Sequence, residues 1–201
     1  YIKMTQLIIL DAVPSQLDCT SFGGLPVQAA DSPIEWPACT QCNGLMQYQA
    51  KVKTELGLEL IFMCVQEPGM CDDWNANGGG NKVIVVENTQ DLVQLKPENT
   101  ENTLRETEYG AKLVQDDLQD YFASHQQWAS EKREILGQLG GTPDWIQNDE
   151  TPECNCCNLP MRFVAQLEEG PDYKTAMNFG SGSAYLFDCV TGKTAKFLWQ
   201  C

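Results

Sequence analysis

The chain has 201 residues, of which 42% are hydrophobic and 20% charged, as is typical of a globular protein with a buried core. Its 28 acidic and 13 basic residues give a formal net charge of −15, which disfavours binding to phosphate backbones and favours basic protein partners. No apolar run approaches the roughly 20 residues of a membrane helix, and no secretory leader is recognisable, so the sequence predicts a cytoplasmic protein.

The first repeat unit, predicted to span residues 1–86, is built around a C-x2-C pair, Cys39 and Cys42. Apolar residues alternate after this pair and predict a strand with one buried face. These alternating residues are Met46, Tyr48, Ala50 and Val52. The run Leu60–Cys64 predicts the partner strand, and one further cysteine, Cys71, follows it.

The middle of the chain, residues 87–138, is predicted to be a linker followed by a helical insert. Residues 87–102 are polar and contain Pro97, which is typical of a linker. Thr103 begins a capping-box pattern, which predicts a helix. The apolar residues at helical spacing after it are Leu104, Ala111, Val114, Leu118 and Tyr121. A second predicted helix, capped at Ser124 or Gln127 and ended by Gly140, carries Trp128, Ile135 and Leu139.

The second repeat unit, predicted to span residues 139–201, repeats the pattern of the first. Pro37–Asn43 aligns with Pro152–Asn158, and Leu60–Cys64 aligns with Tyr185–Cys189. Between these segments Met46, Tyr48 and Ala50 align with Met161, Phe163 and Ala165. The predicted fold is therefore α+β, with two tandem pseudo-symmetric sheet-rich repeats around a helical middle segment. We expect them to form one compact pseudo-twofold domain.

Four cysteines in each unit predict two structural zinc sites, because C-x2-C pairs with two further sulfurs match tetrahedral zinc. The predicted ligands of the first site are Cys39, Cys42, Cys64 and Cys71. Those of the second site are Cys154, Cys157, Cys189 and Cys201. Cys19 and Cys156 are left over, and Cys156 is an alternative to Cys154 or Cys157. Disulfides are the competing interpretation if the chain is exported.

The sequence contains no recognisable catalytic constellation. His125 is the single histidine, which excludes a two-histidine metal site and leaves one candidate general base. No G-x-S-x-G nucleophile elbow is present. We therefore predict that the protein is not an enzyme, with a hydrolase acting through His125 as an alternative.

The duplicated motifs resemble the YwqG-like family of bacterial proteins, which looks related to eukaryotic programmed cell death protein 2. The segments that carry the resemblance are the Gly-Gly-x-Pro turns, Trp36-Pro37, the two knuckles, Gly140–Gln147 and Trp199–Cys201. The resemblance implies a duplicated, sheet-rich fold without established enzymatic activity. It also implies a role in chaperoning a basic client or in immunity against a toxin. The zinc prediction comes from the cysteine spacing of this chain and not from the resemblance.

The leading functional hypothesis is a zinc-stabilised acidic module that binds a basic polypeptide, either a toxin or a client protein. The candidate partner-binding residues are Asp72, Asp73, Trp74, Asp116, Asp117 and Asp120. The alternative from another class is an RNA-binding zinc-knuckle protein that stacks bases on Tyr48, Trp74 and Phe163, which the net charge disfavours.

Overall fold

The structure is a computed structural model that describes residues 5–99, 101–118, 120–130 and 135–201. These residues form twelve strands and one helix, α1 (Tyr121–Ser130). The strands are β1 (Gln6–Asp11), β2 (Ser21–Phe22), β3 (Val27–Ala29), β4 (Gln47–Thr54), β5 (Gly57–Met63), β6 (Asn81–Val86), β7 (Leu92–Gln94), β8 (Tyr109–Gln115), β9 (Ile135–Leu139), β10 (Arg162–Glu168), β11 (Ser183–Cys189) and β12 (Thr194–Gln200).

Ten of these strands form one antiparallel sheet that curls until its two edges meet. The strand order is β12-β11-β10-β9-β1-β8-β2-β4-β5-β6, and β3 pairs separately with β7. The edge strands β6 and β12 lie against each other, which makes the sheet nearly closed and barrel-like. Lys193 and Glu87 form an ion pair of 2.6 Å at one end of this seam. At the other end, the backbone N–H of Trp199 donates to the carbonyl of Trp74.

The central strands β1 and β8 join the two halves of the chain. β1 pairs with β9 on one side, and β8 pairs with β2 on the other, so each strand is inserted beside the opposite half. The two strands also pair with each other along six residues, from Gln6 opposite Gln115 to Asp11 opposite Gly110. Because neither half completes its sheet without a strand from the other, the halves form one continuous sheet.

The β4–β5 and β10–β11 hairpins have the same register. Tyr48 lies opposite Phe62, and Phe163 lies opposite Phe187. Both first strands then contain a bulge at the same position, between Tyr48 and Ala50 in β4 and between Phe163 and Ala165 in β10. A bulge adds one unpaired residue and bends its strand. The two hairpins are therefore structural repeats as well as sequence repeats.

The inner and outer faces of the sheet are both covered. The inner face contributes residues of both halves to one core, including Ile8, Val83, Leu186 and Phe197. The segments before β4 and β10 cover the outer face in two further clusters, around Tyr48 and around Tyr185. These covering segments carry the C-x2-C knuckles, so burial of their apolar side chains fixes the knuckles against the sheet.

The prediction of an α+β fold with a helical middle is wrong, because the described residues are nearly all sheet and the middle of the chain contributes β7, β8 and β9 beside the single short helix α1. Ala111 and Val114, predicted to be helical, lie in β8 opposite Leu10 and Leu7 of β1. Ile135 and Leu139 lie in β9, and the intervening residues 131–134 of the predicted second helix are outside the described ranges. Pairing with β1 determines that both segments form strands, since strand propensity depends strongly on tertiary neighbours.

The segment predicted as a polar linker is partly ordered into the fold. β7 pairs with β3, and the backbone N–H of Leu95 donates to the carbonyl of Pro26.

No helix among the described residues has the length and apolar character needed to cross a membrane.

The loop between β10 and β11 contributes buried side chains to the inner core, the larger of which is Phe179. Phe179 is fully buried and packs against Phe197 and Trp199, with ring centroids 5.9 and 6.5 Å apart. We predict that Phe179→Ala lowers the free energy of unfolding by about 3–5 kcal/mol in denaturant titration. The control Tyr173→Ala, in the same loop at an 86% exposed site, should change it by about 0.5 kcal/mol or less. Equal effects of the two substitutions would contradict this packing.

Candidate metal centres and the groove between them

The two C-x2-C segments fold into knuckles that match bond for bond. In the first, the N–H groups of Cys39, Asn43 and Met46 donate to the carbonyls of Gly44, Cys39 and Pro37. In the second, those of Cys154, Asn158 and Met161 donate to Leu159, Cys154 and Pro152. Asn43 and Asn158 both have positive φ, 59° and 54°, which asparagine tolerates better than most residues. The tight turn brings the sulfurs of each pair to one side.

The first cluster contains the four cysteines that the sequence predicts. Cys39 and Cys42 come from the first knuckle, Cys64 directly follows β5, and Cys71 lies in the long connection to β6. Their four Sγ atoms all lie within 4.8 Å of one another. Cys39, Cys64 and Cys71 are each 1% exposed, so this cluster lies inside the protein.

The second cluster contains Cys154, Cys156, Cys157 and Cys189, whose Sγ atoms also lie within 4.8 Å of one another. Cys154, Cys157 and Cys189 occupy the positions of Cys39, Cys42 and Cys64. The fourth sulfur comes from Cys156, which is exposed and lies inside the knuckle. The structure thus adds Cys156 to the predicted pair Cys154 and Cys157 instead of exchanging it for either of them.

The sulfur separations fit a shared metal ion. Four sulfurs placed tetrahedrally at about 2.3 Å from a zinc-sized ion are roughly 3.8 Å apart. The observed Sγ···Sγ distances are 3.7 Å for Cys42–Cys64, 3.8 Å for Cys157–Cys189 and 3.9 Å for Cys156–Cys189. The Cys154–Cys156 distance of 3.1 Å is shorter, but it is far above the roughly 2.0 Å of a disulfide. All ten cysteines are free thiols. Each cluster can therefore hold one metal ion.

Local hydrogen bonds favour ionisation of one sulfur in each cluster. Burial disfavours the Cys39 thiolate, but the backbone N–H groups of Cys42 and Gln41 outweigh burial and lower the pKa of this thiol. The backbone N–H of Cys156 lowers the pKa of Cys154 to about 6. Burial raises the pKa of Cys64 to about 11, so this thiol needs a nearby cation to ionise. A bound metal ion would supply that cation and displace the protons.

Cys201 and Cys19 do not lie with either cluster. Cys201 follows β12, whereas Cys189 is paired with Thr194 at the opposite end of that strand. Cys201 is exposed, and its carbonyl accepts a hydrogen bond of 2.6 Å from the side-chain amide of Gln147. Cys19 is partly buried, and its thiol donates to the carbonyl of Gln16.

A groove runs over the seam between β6 and β12 and separates the two knuckles. Its larger part, about 940 Å³, is lined by residues of both edge strands and of both knuckles, including Thr40 and Cys156. A neighbouring part of about 560 Å³ shares Ala76, Asn77, Asn155 and Lys196 with it. We call the continuous cleft the seam groove. The Lys196 ammonium ties its two walls together by donating to Asn77 Oδ1, Asn155 Oδ1 and the Glu153 carbonyl.

The residues predicted to bind a partner differ in their accessibility. Asp73 and Asp116 are 3% exposed, and Asp116 accepts a hydrogen bond of 2.5 Å from the Ser124 hydroxyl. Asp120 is exposed and its carboxylate accepts a hydrogen bond from the backbone N–H of Ala123 in the first turn of α1. Asp72 is partly buried and Asp117 is exposed. Trp74 is 38% exposed and lines the seam groove.

The structure also shows the surroundings of the residues named for the two alternative functions, hydrolysis and RNA binding. His125 lies on α1 with its ring 5.8 Å from that of Tyr121. Within the described ranges, no serine or cysteine is hydrogen-bonded to His125. Tyr48, predicted to stack on a base, is fully buried, and Phe163 packs edge-to-face against Phe187. Of the three aromatic residues named for RNA stacking, Trp74 alone has an exposed ring at the surface.

Neither a protein-family model nor a curated protein matches this chain.

The cluster membership predicts opposite outcomes for two cysteine substitutions. Cys71→Ser should lower the metal content from about two ions per chain to about one, because it removes a buried ligand. Cys201→Ser should leave it at about two, because this sulfur lies outside both clusters. Elemental analysis of the purified variants measures both values. Loss of an ion from the Cys201→Ser variant would contradict the assignment.

Proposed function

We propose that the protein is a non-enzymatic, zinc-stabilised binding module that holds an extended basic segment of another protein in the seam groove. The observation that carries the proposal is that both knuckles and both edge strands wall one groove. A groove built at the junction of two rigid, metal-bound units offers a preformed binding surface.

Zinc is the metal that the clusters suit best. Thiolates bind zinc well, and four of them complete a tetrahedral shell with no open position for water. Such an ion stabilises the fold and has no free site at which to activate a substrate. Its binding free energy, on the order of 10–16 kcal/mol, is comparable to the stability of a whole domain.

The groove chemistry supports an extended polypeptide as the occupant. Asn75, Asn77 and Asn81 line it, and side-chain amides donate to and accept from a peptide backbone equally well. Carboxylates of Glu35 and Glu153 lie at its walls, and the chain as a whole carries −15. A basic segment is attracted by this field, because the acidic residues that line the groove, Glu35, Glu150 and Glu153, outnumber its two lysines, Lys82 and Lys196.

The cellular role that we propose follows the resemblance of the duplicated knuckles to the YwqG-like family. We propose that the protein belongs to that family and that it works as an immunity protein against a toxin or as a chaperone of a basic client. A reducing compartment such as the cytoplasm suits this role, because free thiolates persist there for metal binding.

The proposal is tested by reversing charges in the groove. Affinity capture with the tagged protein should recover a basic protein in stoichiometric amount, and titration calorimetry with that purified protein then gives the dissociation constant. The double variant Glu35→Lys/Glu153→Lys should weaken binding at least about tenfold, because it places two cations where a basic segment lies.

The matched control is Glu98→Lys/Glu101→Lys, which changes the net charge by the same amount at exposed sites outside the groove. The affinity of the control variant for the partner should fall much less. The affinity of the wild-type protein should fall as salt is raised, because salt screens charges. Recovery of no stoichiometric protein, or equal loss in both variants, would count against the proposal. Salt-sensitive binding of single-stranded RNA in place of protein would favour the alternative function.

A further inference from the structure

The two metal clusters differ in the origin of their fourth sulfur. In the first half, the connection between β5 and β6 spans residues 64–80 and delivers Cys71 into the protein interior. In the second half, β11 and β12 are joined by only residues 190–193, which contain no cysteine. The short turn cannot supply a counterpart of Cys71, and Cys156 takes its place from within the knuckle.

The short turn is built to admit the Cys156 sulfur. A Cβ atom on Gly192 would lie 2.4 Å from Cys156 Sγ, so any larger residue there would push this sulfur aside. The backbone N–H of Gly192 also donates to Cys189 Sγ at 3.3 Å. The glycine thus provides both the space for the fourth sulfur and a hydrogen bond to its neighbour in the cluster.

Exposure separates the two clusters chemically. In the first cluster, Cys42 is the most accessible cysteine and is still partly buried. In the second cluster, Cys156 is exposed and lines the seam groove, so a molecule in solvent reaches it directly. Accessible thiolates react with oxidants and electrophiles, whereas buried ones are protected.

We propose that Cys156 makes the second cluster an oxidant-sensitive, exchangeable metal site, while the first cluster keeps its metal. This inference concerns the metal sites alone and does not depend on the partner proposed above. The reagent class is a hydroperoxide, which transfers oxygen to an accessible thiolate.

The oxidation releases the metal in two balanced steps. The Cys156 thiolate attacks the peroxide, an S–O bond forms, the O–O bond breaks, and an alkoxide or hydroxide leaves. The Cys154 thiolate, 3.1 Å away, then attacks the sulfenic sulfur, and a disulfide forms as hydroxide leaves. Two thiolates lose two electrons, which the peroxide accepts. The ion then has two of its four sulfur ligands left and dissociates.

The test uses the full chain carrying Cys19→Ser and Cys201→Ser, which removes the two thiols outside the clusters. The protein is loaded with two equivalents of zinc and treated with hydrogen peroxide, and a chromophoric chelator reports zinc release. We expect one ion per chain to leave at least about tenfold faster than the other, because exposure governs thiol reactivity. Peptide mass spectrometry should then locate a disulfide between Cys154 and Cys156, with the cysteines of the first cluster still reduced.

A second variant separates this mechanism from general instability of the second knuckle. Cys156→Ser on the same background should lose the fast peroxide-dependent phase, because the reactive sulfur is absent. If this variant binds only one ion, the peptide mapping of the parent protein decides the matter. Release of both ions at one rate, earlier oxidation of the first cluster, or metal release with Cys154 and Cys156 still reduced would overturn the proposal.

Discussion

Sulfur atoms gathered within 4.8 Å of one another impose the constraint on which this structure depends. Four thiolates at such distances repel one another, and burial penalises each charge further. A divalent cation at the centre would relieve both costs, and one ion in each cluster would hold the knuckle and its hairpin end together. The first knuckle connects to the β5–β6 end and the second to the β11–β12 end, which fixes the two walls of the seam groove.

The duplicated halves are joined by the exchange of their central strands. β1 lies beside β9 and β8 lies beside β2, so the inner core contains residues of both halves and the sheet cannot be divided without breaking pairs. This arrangement places β6 and β12 at the two edges and brings these edges together. The seam is therefore a consequence of the duplication, and both knuckles contribute residues to the groove above it.

The sequence predicted the repeated parts of the molecule well, because their spacing is set by local geometry. The alignment of Tyr48 with Phe163 anticipates equal places in the hairpins, and the C-x2-C spacing anticipates two knuckles. Cys71 was predicted correctly as a member of the first cluster because it follows the strand end within a loop.

The parts that the sequence did not predict depend on tertiary placement. For Cys201, what matters is the end of the strand at which the residue lies. Cys201 is separated from Cys189 by a seven-residue strand, β12, which carries it roughly 23 Å away at about 3.3 Å per residue. A turn signal at Gly192 followed by a strand-like run was the clue to this hairpin. The helical spacing of Ala111 and Val114 predicted a helix where the structure has a strand. Pairing with β1 and β2 determines that this segment forms β8, and its own periodicity does not.

X-ray absorption spectroscopy of the zinc-loaded protein tests the central claim most directly, because it measures the ligands of both ions at once. We predict about two zinc ions per chain, each surrounded by four sulfur atoms at about 2.3 Å. Nitrogen or oxygen ligands in place of sulfur, or a protein whose cluster cysteines are joined in disulfides and bind no metal, would contradict it.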